Sequence, residues 1–257
     1  MCEACGCGAT SLGVNDTETV EILGRLLDAN DRTAAHNRAH FNSHHVVAFN
    51  LMSAPGAGKT ALLETTIDAL RSEYRIAVIE GDLATENDAR RIRARGIPAV
   101  QITTGSACHL DASMVHAALH DLALAELDIV FIENVGNLVC PASFDLGQHR
   151  NVVLLSVTEG DDKPAKYPVM FRTADIVLLT KMDLAPVMDD FDTQRAEDAV
   201  RNLANAAPVV ALSARQAMTL VTWTAWLRGE VTTIRAGHDR RSGTHEANHG
   251  HHRPAMA

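Results

Sequence analysis

Three of the chain's five cysteines fall within the opening run MCEACGCG, at Cys2, Cys5 and Cys7, and the other two lie far downstream at Cys108 and Cys140. Thiols spaced this closely span too little chain to staple a fold, and an odd total argues against a disulfide framework. Clustered thiols of this kind bind metal or do redox work. A second chemical run is SAPGAGKT, Ser53 to Thr60. It fits the phosphate-binding pattern GxxxxGK[ST] at every position but the first, where Ser53 replaces glycine. Gly56, Ala57 and Gly58 let backbone N–H groups wrap a polyphosphate. Lys59 neutralises the β and γ charges, and Thr60 offers a hydroxyl to Mg²⁺.

Two later runs bear on the nucleotide. TKMD, Thr180 to Asp183, ends one apolar run, and SAR, Ser213 to Arg215, ends another; together they resemble the guanine-recognition pair of GTPases. Asp183 accepts hydrogen bonds from the N1–H and 2-amino group of guanine, donors that adenine lacks there. Lys181 lies along the base plane, while Ser213 and Ala214 complete the pocket. Thr180 stands where asparagine is usual and leaves one auxiliary contact without its amide. Between these motifs, EGD (Glu80 to Asp82) and ENVG (Glu133 to Gly136) end further strands. Asp82 and Glu133, with Thr60, are assigned to Mg²⁺, directly or through water, because Mg²⁺ keeps most of its hydration shell and uses few carboxylates. The Gly136 N–H is assigned to the γ-phosphate. Lys59, Asp82 and Glu133 are thus the expected catalytic set. No glutamine stands where a small GTPase positions its attacking water, so turnover should be slow without an assisting partner or dimer.

The downstream cysteines have company. His109 follows Cys108 directly, and Cys140 lies four residues past Gly136. Thiolate and imidazole suit Ni²⁺ or Zn²⁺. Three donors fall one short of a closed tetrahedral site, which a symmetric dimer would complete. A ligand placed just behind the γ-phosphate sensor must move with it, so metal affinity and nucleotide state are expected to be linked, and reciprocally so. His116 and His120, four apart on a helix after His109, are read as surface residues.

Positioning these groups requires a scaffold. Continuous apolar runs such as VVAFNLM, RIAVIEGD, LDIVFIENVG, NVVLLSVTEG and DIVLLTKMD alternate with helical patterns. They predict an α/β fold whose mainly parallel sheet carries helices on both faces. Residues 1–14 are expected to be flexible. Residues 15–45 read as a helix with Val20, Leu23 and Leu27 at helical spacing, residues 46–228 as the nucleotide-binding domain with its internal metal site, and 229–257 as a His-rich disordered tail. The tail histidines, among them His238, His245, His249, His251 and His252, read equally well as a nickel buffer or as solvated residues. A formal charge of −9 argues against nucleic-acid and anionic-membrane partners. No run is long and apolar enough to span a bilayer, and the chain reads as cytoplasmic.

Taken together, CxxCGC, SAPGAGKT, VIEGD, GSACHLDA, FIENVGNLVCPASFDLG, SVTEGDDKPAKYP and TKMD resemble the HypB family of nickel-insertion GTPases in hydrogenase maturation. The resemblance runs from Cys2 to about Leu227, and FIENVGNLVCPASFD is its most specific stretch. It implies a P-loop NTPase of the SIMIBI class and a GTP-linked homodimer. It also implies GTP-dependent loading of Ni²⁺ into the [NiFe]-hydrogenase large subunit, alongside a HypA-type zinc-containing nickel chaperone. By the same resemblance, Cys2, Cys5 and Cys7 are a tight nickel site and Cys108, His109 and Cys140 a weaker one for Ni²⁺ or Zn²⁺. Three thiolates with the terminal amine would form an S₃N square suited to d⁸ Ni²⁺. Two other readings stay open: a sister GTPase of urease or cobalamin-enzyme assembly, and a nickel store with a vestigial GTPase.

Overall fold

A computed structural model describes residues 16–83 and 86–246, with side chains from residue 24 to residue 238. The N-terminal cysteines therefore lie outside the described residues. The apolar runs become seven strands: β1 (Val47–Ser53), β2 (Ile76–Asp82), β3 (Ala99–Thr103), β4 (Ile129–Glu133), β5 (Arg150–Ser156), β6 (Ile176–Thr180) and β7 (Val209–Ala211). They form one sheet in the order β3-β2-β4-β1-β5-β6-β7, and every pairing is parallel. The helices are α1 (Asp16–Ser43), α2 (Lys59–Leu70), α3 (Asn87–Arg93), α4 (Ala112–Leu119), α5 (Lys163–Lys166), α6 (Pro168–Arg172), α7 (Thr193–Asn202) and α8 (Val221–Glu246).

Alternation along each strand distributes the core to both faces. Val47, Phe49 and Leu51 of β1 pack with Leu63 and Ile67 of α2 and with Trp223, Leu227 and Val231 of α8. Ala48 faces the other way, in a layer with Phe41 of α1 and Val115 and Leu119 of α4. Beyond β1, Val153, Leu155, Val177 and Leu179 pack against α6 and α7. Burial on both faces explains why the strands read as continuous Val/Ile/Leu runs rather than alternating ones. No described helix is long and apolar enough to cross a membrane.

One expectation is corrected. The sequence reading ends ordered structure near Gly229, where apolar periodicity fades, yet α8 continues to Glu246. Past Val231 the helix is held by Ile234, which packs against the same core, and by charge. The Arg235 guanidinium donates to the His45 carbonyl at 2.9 Å and to Asp128 at 2.8 Å, and Arg75 completes the triad on Asp128. The apolar period Leu227, Val231, Ile234 runs past Gly229, and beyond it polar anchoring of this kind leaves no hydrophobic period to read.

Helix α1 is likewise held by polar side chains. Asn30 and Asn37 are buried. Asn37 Nδ2 donates to the carbonyls of Ala112 and Leu146, while Asn30 accepts from the Ala112 N–H and donates to the Asp145 carbonyl. These bonds fix the start of α4, and with it the loop that carries Cys108 and His109.

Candidate functional site

The loop from β1 to α2 opens at the carboxyl edge of the sheet, where open α/β folds bind ligands. Gly56 and Gly58 adopt φ of +77° and +97°, left-handed values that a residue with a Cβ resists. The N-terminus of α2 faces a cavity of about 390 Å³ lined by Gly56, Gly58, Lys59, Thr60, Glu80, Asp82, Asp88, Glu133 and Gly136. Ser53, the departure from the glycine pattern, has a use: Lys59 Nζ donates to its hydroxyl at 3.1 Å. Thr180, the other departure, reaches back through its hydroxyl to the Ala57 carbonyl at 2.8 Å. A side chain supplies the P-loop contact for which the usual asparagine is absent.

At the floor of this cavity lie Glu80, Asp88 and Glu133, with donor oxygens within 4.8 Å of one another. Glu80 and Glu133 are register partners on adjacent strands, and both are buried. Burial raises the pKa of each; the neighbouring Glu133 charge raises Glu80 further, while Lys59 acts in the opposite sense on both. Two carboxylates this close in a low dielectric do not both ionise unaided, so the pair retains a proton. Glu133 Oε1 accepts from the Thr60 hydroxyl at 2.8 Å, whereas Oε2 of both glutamates lacks a hydrogen-bond partner. Unpartnered buried carboxylate oxygens beside a P-loop hydroxyl fit a hard divalent cation. Thr60 and Glu133 thus come together as expected. Asp82 lines the same cavity but accepts from the Leu83 N–H at 2.7 Å and lies outside the carboxylate group. Sequence reasoning missed Glu80 and Asp88. The signal for Glu80 was an acid embedded in the apolar strand VIEGD, a placement costly without a cation.

The residues expected to recognise the base converge on a second, narrower cavity of about 190 Å³, lined by Ala57, Gly58, Thr180, Lys181, Asp183, Leu212, Ser213, Ala214 and Arg215. Ser213 Oγ donates to Asp183 Oδ1 at 2.6 Å, which orients the carboxylate. The Lys181 side chain passes close to Gly58, bridging the two cavities.

The second donor group is Cys108, His109 and Cys140, also within 4.8 Å of one another and half-buried. The two sulfurs stand 2.9 Å apart, and His109 Nδ1 is 3.8 Å from Cys108. Contact with Cys108, then burial, holds the Cys140 thiol above its usual range. Burial keeps the His109 imidazole neutral, against the opposing pull of Asp111. Its ring stacks on Phe144 with centroids 3.9 Å apart. Neutral imidazole and paired thiols suit a borderline metal that displaces protons on binding.

The segment from Glu133 to Cys140 joins the two groups. Asn134 Oδ1 accepts from the Leu110 N–H at 3.1 Å, and Asn137 donates to the Cys108 carbonyl at 3.3 Å. Between them Gly136 lies so close to the phosphate loop that a Cβ there would come within 2.8 Å of Pro55 Cα. The segment that carries Cys140 therefore touches the phosphate loop at Gly136 and the Cys108 loop through Asn137.

The family described as CobW/HypB/UreG, nucleotide-binding domain, matches residues 47–211. Over 225 residues the chain is 49% identical to the hydrogenase maturation factor HypB of Azotobacter vinelandii, spanning 87% of this chain and 74% of that one. Against HypB of Escherichia coli K12 the figures are 46% over 220 residues, 86% and 76%. Among solved structures, HypB from Helicobacter pylori in complex with nickel superposes with a TM-score of 0.77 at 41% identity, covering 80% of this chain and 96% of that one. HypB from Archaeoglobus fulgidus gives 0.75 at 38% identity, with 80% and 100% covered.

Proposed function

The chain belongs to the HypB family of hydrogenase maturation factors, and from that premise we propose that it is a GTP-hydrolysing metallochaperone delivering Ni²⁺ to the [NiFe]-hydrogenase large-subunit precursor. The observation that carries the reading is the shared Glu133–Cys140 segment, one end among the carboxylates of the phosphate cavity and the other among the thiols. The base is guanine, recognised by Asp183 with Lys181, Ser213 and Ala214. Lys59 and the Gly56–Thr60 backbone hold the phosphates. Mg²⁺, held by Thr60 and Glu133 with Glu80, Asp88 or Asp82 completing the site directly or through water, would supply charge neutralisation at the β- and γ-phosphates. Gly136 reports the γ-phosphate through its N–H.

Ni²⁺, or Zn²⁺ in its place, is the cargo of Cys108, His109 and Cys140, and Cys2, Cys5 and Cys7 form the tighter nickel site. A homodimer completes the internal site. In support, Val139 and Leu26 are exposed apolar residues bordering a groove of about 720 Å³ that reaches His109 and Cys140. A HypA-type zinc-containing chaperone shares the transfer, and a compartment that keeps thiols reduced, the cytoplasm, is where it occurs.

The test is a Ni²⁺ titration of the reduced protein, followed by thiolate-to-metal charge-transfer absorption, in GDP and in a non-hydrolysable GTP analogue. A parallel chain lacking residues 1–7 separates the two sites. A tight site lost with the truncation, and a second whose affinity shifts with nucleotide, support the switch. Identical nickel binding in both nucleotide states would instead make the protein a store.

A further inference from the structure

Five histidines form a row across the packed faces of α1 and α4. His36, His40 and His44 repeat every four residues along α1, and His116 and His120 repeat the spacing on α4 and its C-cap. Centroid separations are 5.2 Å for His44–His40, 6.4 Å for His40–His36, 5.0 Å for His36–His116 and 4.9 Å for His116–His120. Read alone, His116 and His120 are surface residues. Folding brings a third ring, His36, to them from 80 residues upstream.

We propose that His36, His116 and His120 bind one borderline divalent transition-metal ion through their ring nitrogens, at a site separate from the thiols. Two imidazoles on one ion at ~2.0 Å each place their ring centroids roughly 4.5–5 Å apart, close to both separations centred on His116, although the nitrogens of the three rings do not converge within 4.8 Å as the donor atoms of the carboxylate and thiol groups do. His36 and His120 are exposed, so their rings can turn inward at small cost and the ion can enter from water.

The middle ligand is already oriented. His116 Nδ1 lies 3.0 Å from Asn37 Oδ1, and both donated bonds of the Asn37 amide go to the Ala112 and Leu146 carbonyls. Oδ1 is therefore the acceptor and His116 Nδ1 carries the proton, which leaves Nε2 with a bare lone pair. An outer hydrogen bond that fixes the tautomer in this way is the usual companion of a metal-bound histidine. Burial, then the neighbouring histidines, lower the pKa of His40 and His116.

The site also differs in kind from the thiol group. It is all-nitrogen, and His120 caps the end of α4 opposite His109, about 12 Å of helix away. An ion here would pin α1 to α4 beside Asn37, the residue that already joins them.

The experiment is diethyl pyrocarbonate footprinting of the full-length reduced chain with and without Ni²⁺, read histidine by histidine by mass spectrometry. Nickel should slow modification of His36, His116 and His120 together by about tenfold or more. His120→Gln should remove that protection from His36, and His36→Gln should remove it from His120. Because both side chains are exposed, neither substitution threatens the fold. Equilibrium dialysis of either variant should lose one equivalent of Ni²⁺ while the thiolate charge-transfer band keeps its intensity. Unchanged modification rates, protection that survives at each ring in both variants, or a charge-transfer band that falls in step with the lost equivalent would each overturn the site.

Discussion

The carboxylate group and the thiol group are equally compact and hang from opposite ends of the same segment, yet they are opposite in every chemical respect. Glu80 and Glu133 sit on adjacent buried strands, with 2% and 3% of their surface exposed. Cys108 and His109 sit on a loop and Cys140 opens a one-turn 3-10 helix, all half open to water. Hard oxygens on buried strands suit a cation that stays with its nucleotide. Soft donors on accessible loops suit an ion that must leave again. The difference teaches that burial and backbone rigidity, as much as donor identity, separate a resident cofactor from a cargo.

If the two groups are separable machines, single substitutions should disable one at a time. Lys59→Ala should lower GTP turnover on the order of 10²–10³-fold, the scale of losing a preorganised donor to a transferring phosphate. Nickel bound by the thiols of the nucleotide-free protein should stay as it was. Loss of both together, measured by phosphate release and by charge-transfer titration, would break the comparison. Cys140→Ser should do the reverse. Removing a direct ligand should weaken the internal site by more than the roughly 10–100-fold typical of losing an outer partner, with GDP affinity in metal-free buffer unchanged. A nickel isotherm identical to that of the parent chain would remove Cys140 from the site.

How much of this was legible beforehand follows from how each part is encoded. The phosphate loop is eight consecutive residues whose spacing is itself the mechanism, and the buried strands announce themselves as apolar runs, so cleft and sheet could both be read. The meeting of Cys108 with Cys140 was inferred from donor chemistry and then from resemblance, because 32 residues separate them and no local pattern records a tertiary contact. Glu80 was passed over in favour of Asp82, two residues on. Along a strand both point to the same face, and only the register with Glu133 shows which of them joins the carboxylate group. Thr180 and Ser53 looked like departures from a pattern until their hydroxyl contacts appeared. The helix beyond Gly229 was missed because its apolar period is short, only Val231 and Ile234 continuing it, and the rest of its anchoring is by guanidinium–carboxylate pairs such as Arg235–Asp128.

The carboxylates sharpen the contrast through pH. With both pKa values raised, the folded metal-free protein holds a proton that the unfolded chain releases near pH 4.5. That stabilisation is fully present below this value and is lost as pH rises toward the folded pKa, at up to about 1.4 kcal/mol per pH unit for one proton. The double substitution Glu80→Gln, Glu133→Gln removes the titration but keeps the shape. Its metal-free melting temperature should stay flat between about pH 6 and 9 while the parent chain loses a few degrees per unit. Mg²⁺ with nucleotide should flatten the parent's profile and do less for the variant. Parallel slopes for the two proteins in metal-free buffer would mean that the pair is not protonated as the geometry requires.

The smallest effect should fall on the connection itself. Asn137 bonds to the Cys108 carbonyl through Nδ2 and accepts from the Val139 N–H at 2.8 Å through Oδ1, and its side chain also meets the Cys140 thiol, so it ties the segment behind Gly136 to both thiol-bearing loops without itself being a proposed ligand. Asn137→Ala leaves every proposed ligand in place. It should therefore spare GTP turnover and change nickel affinity in GDP only slightly. The ratio of nickel affinities between the GTP analogue and GDP should shrink severalfold, on the scale of 0.5–2 kcal/mol by which residues along such a path tune coupling. Reciprocity makes the check internal, since the effect of nickel on nucleotide affinity must shrink by the same factor. A variant that keeps the full ratio would route the coupling through Asn134 and Leu110 instead. One that loses nickel in both states would show Asn137 to be a support of the thiol loop rather than a link.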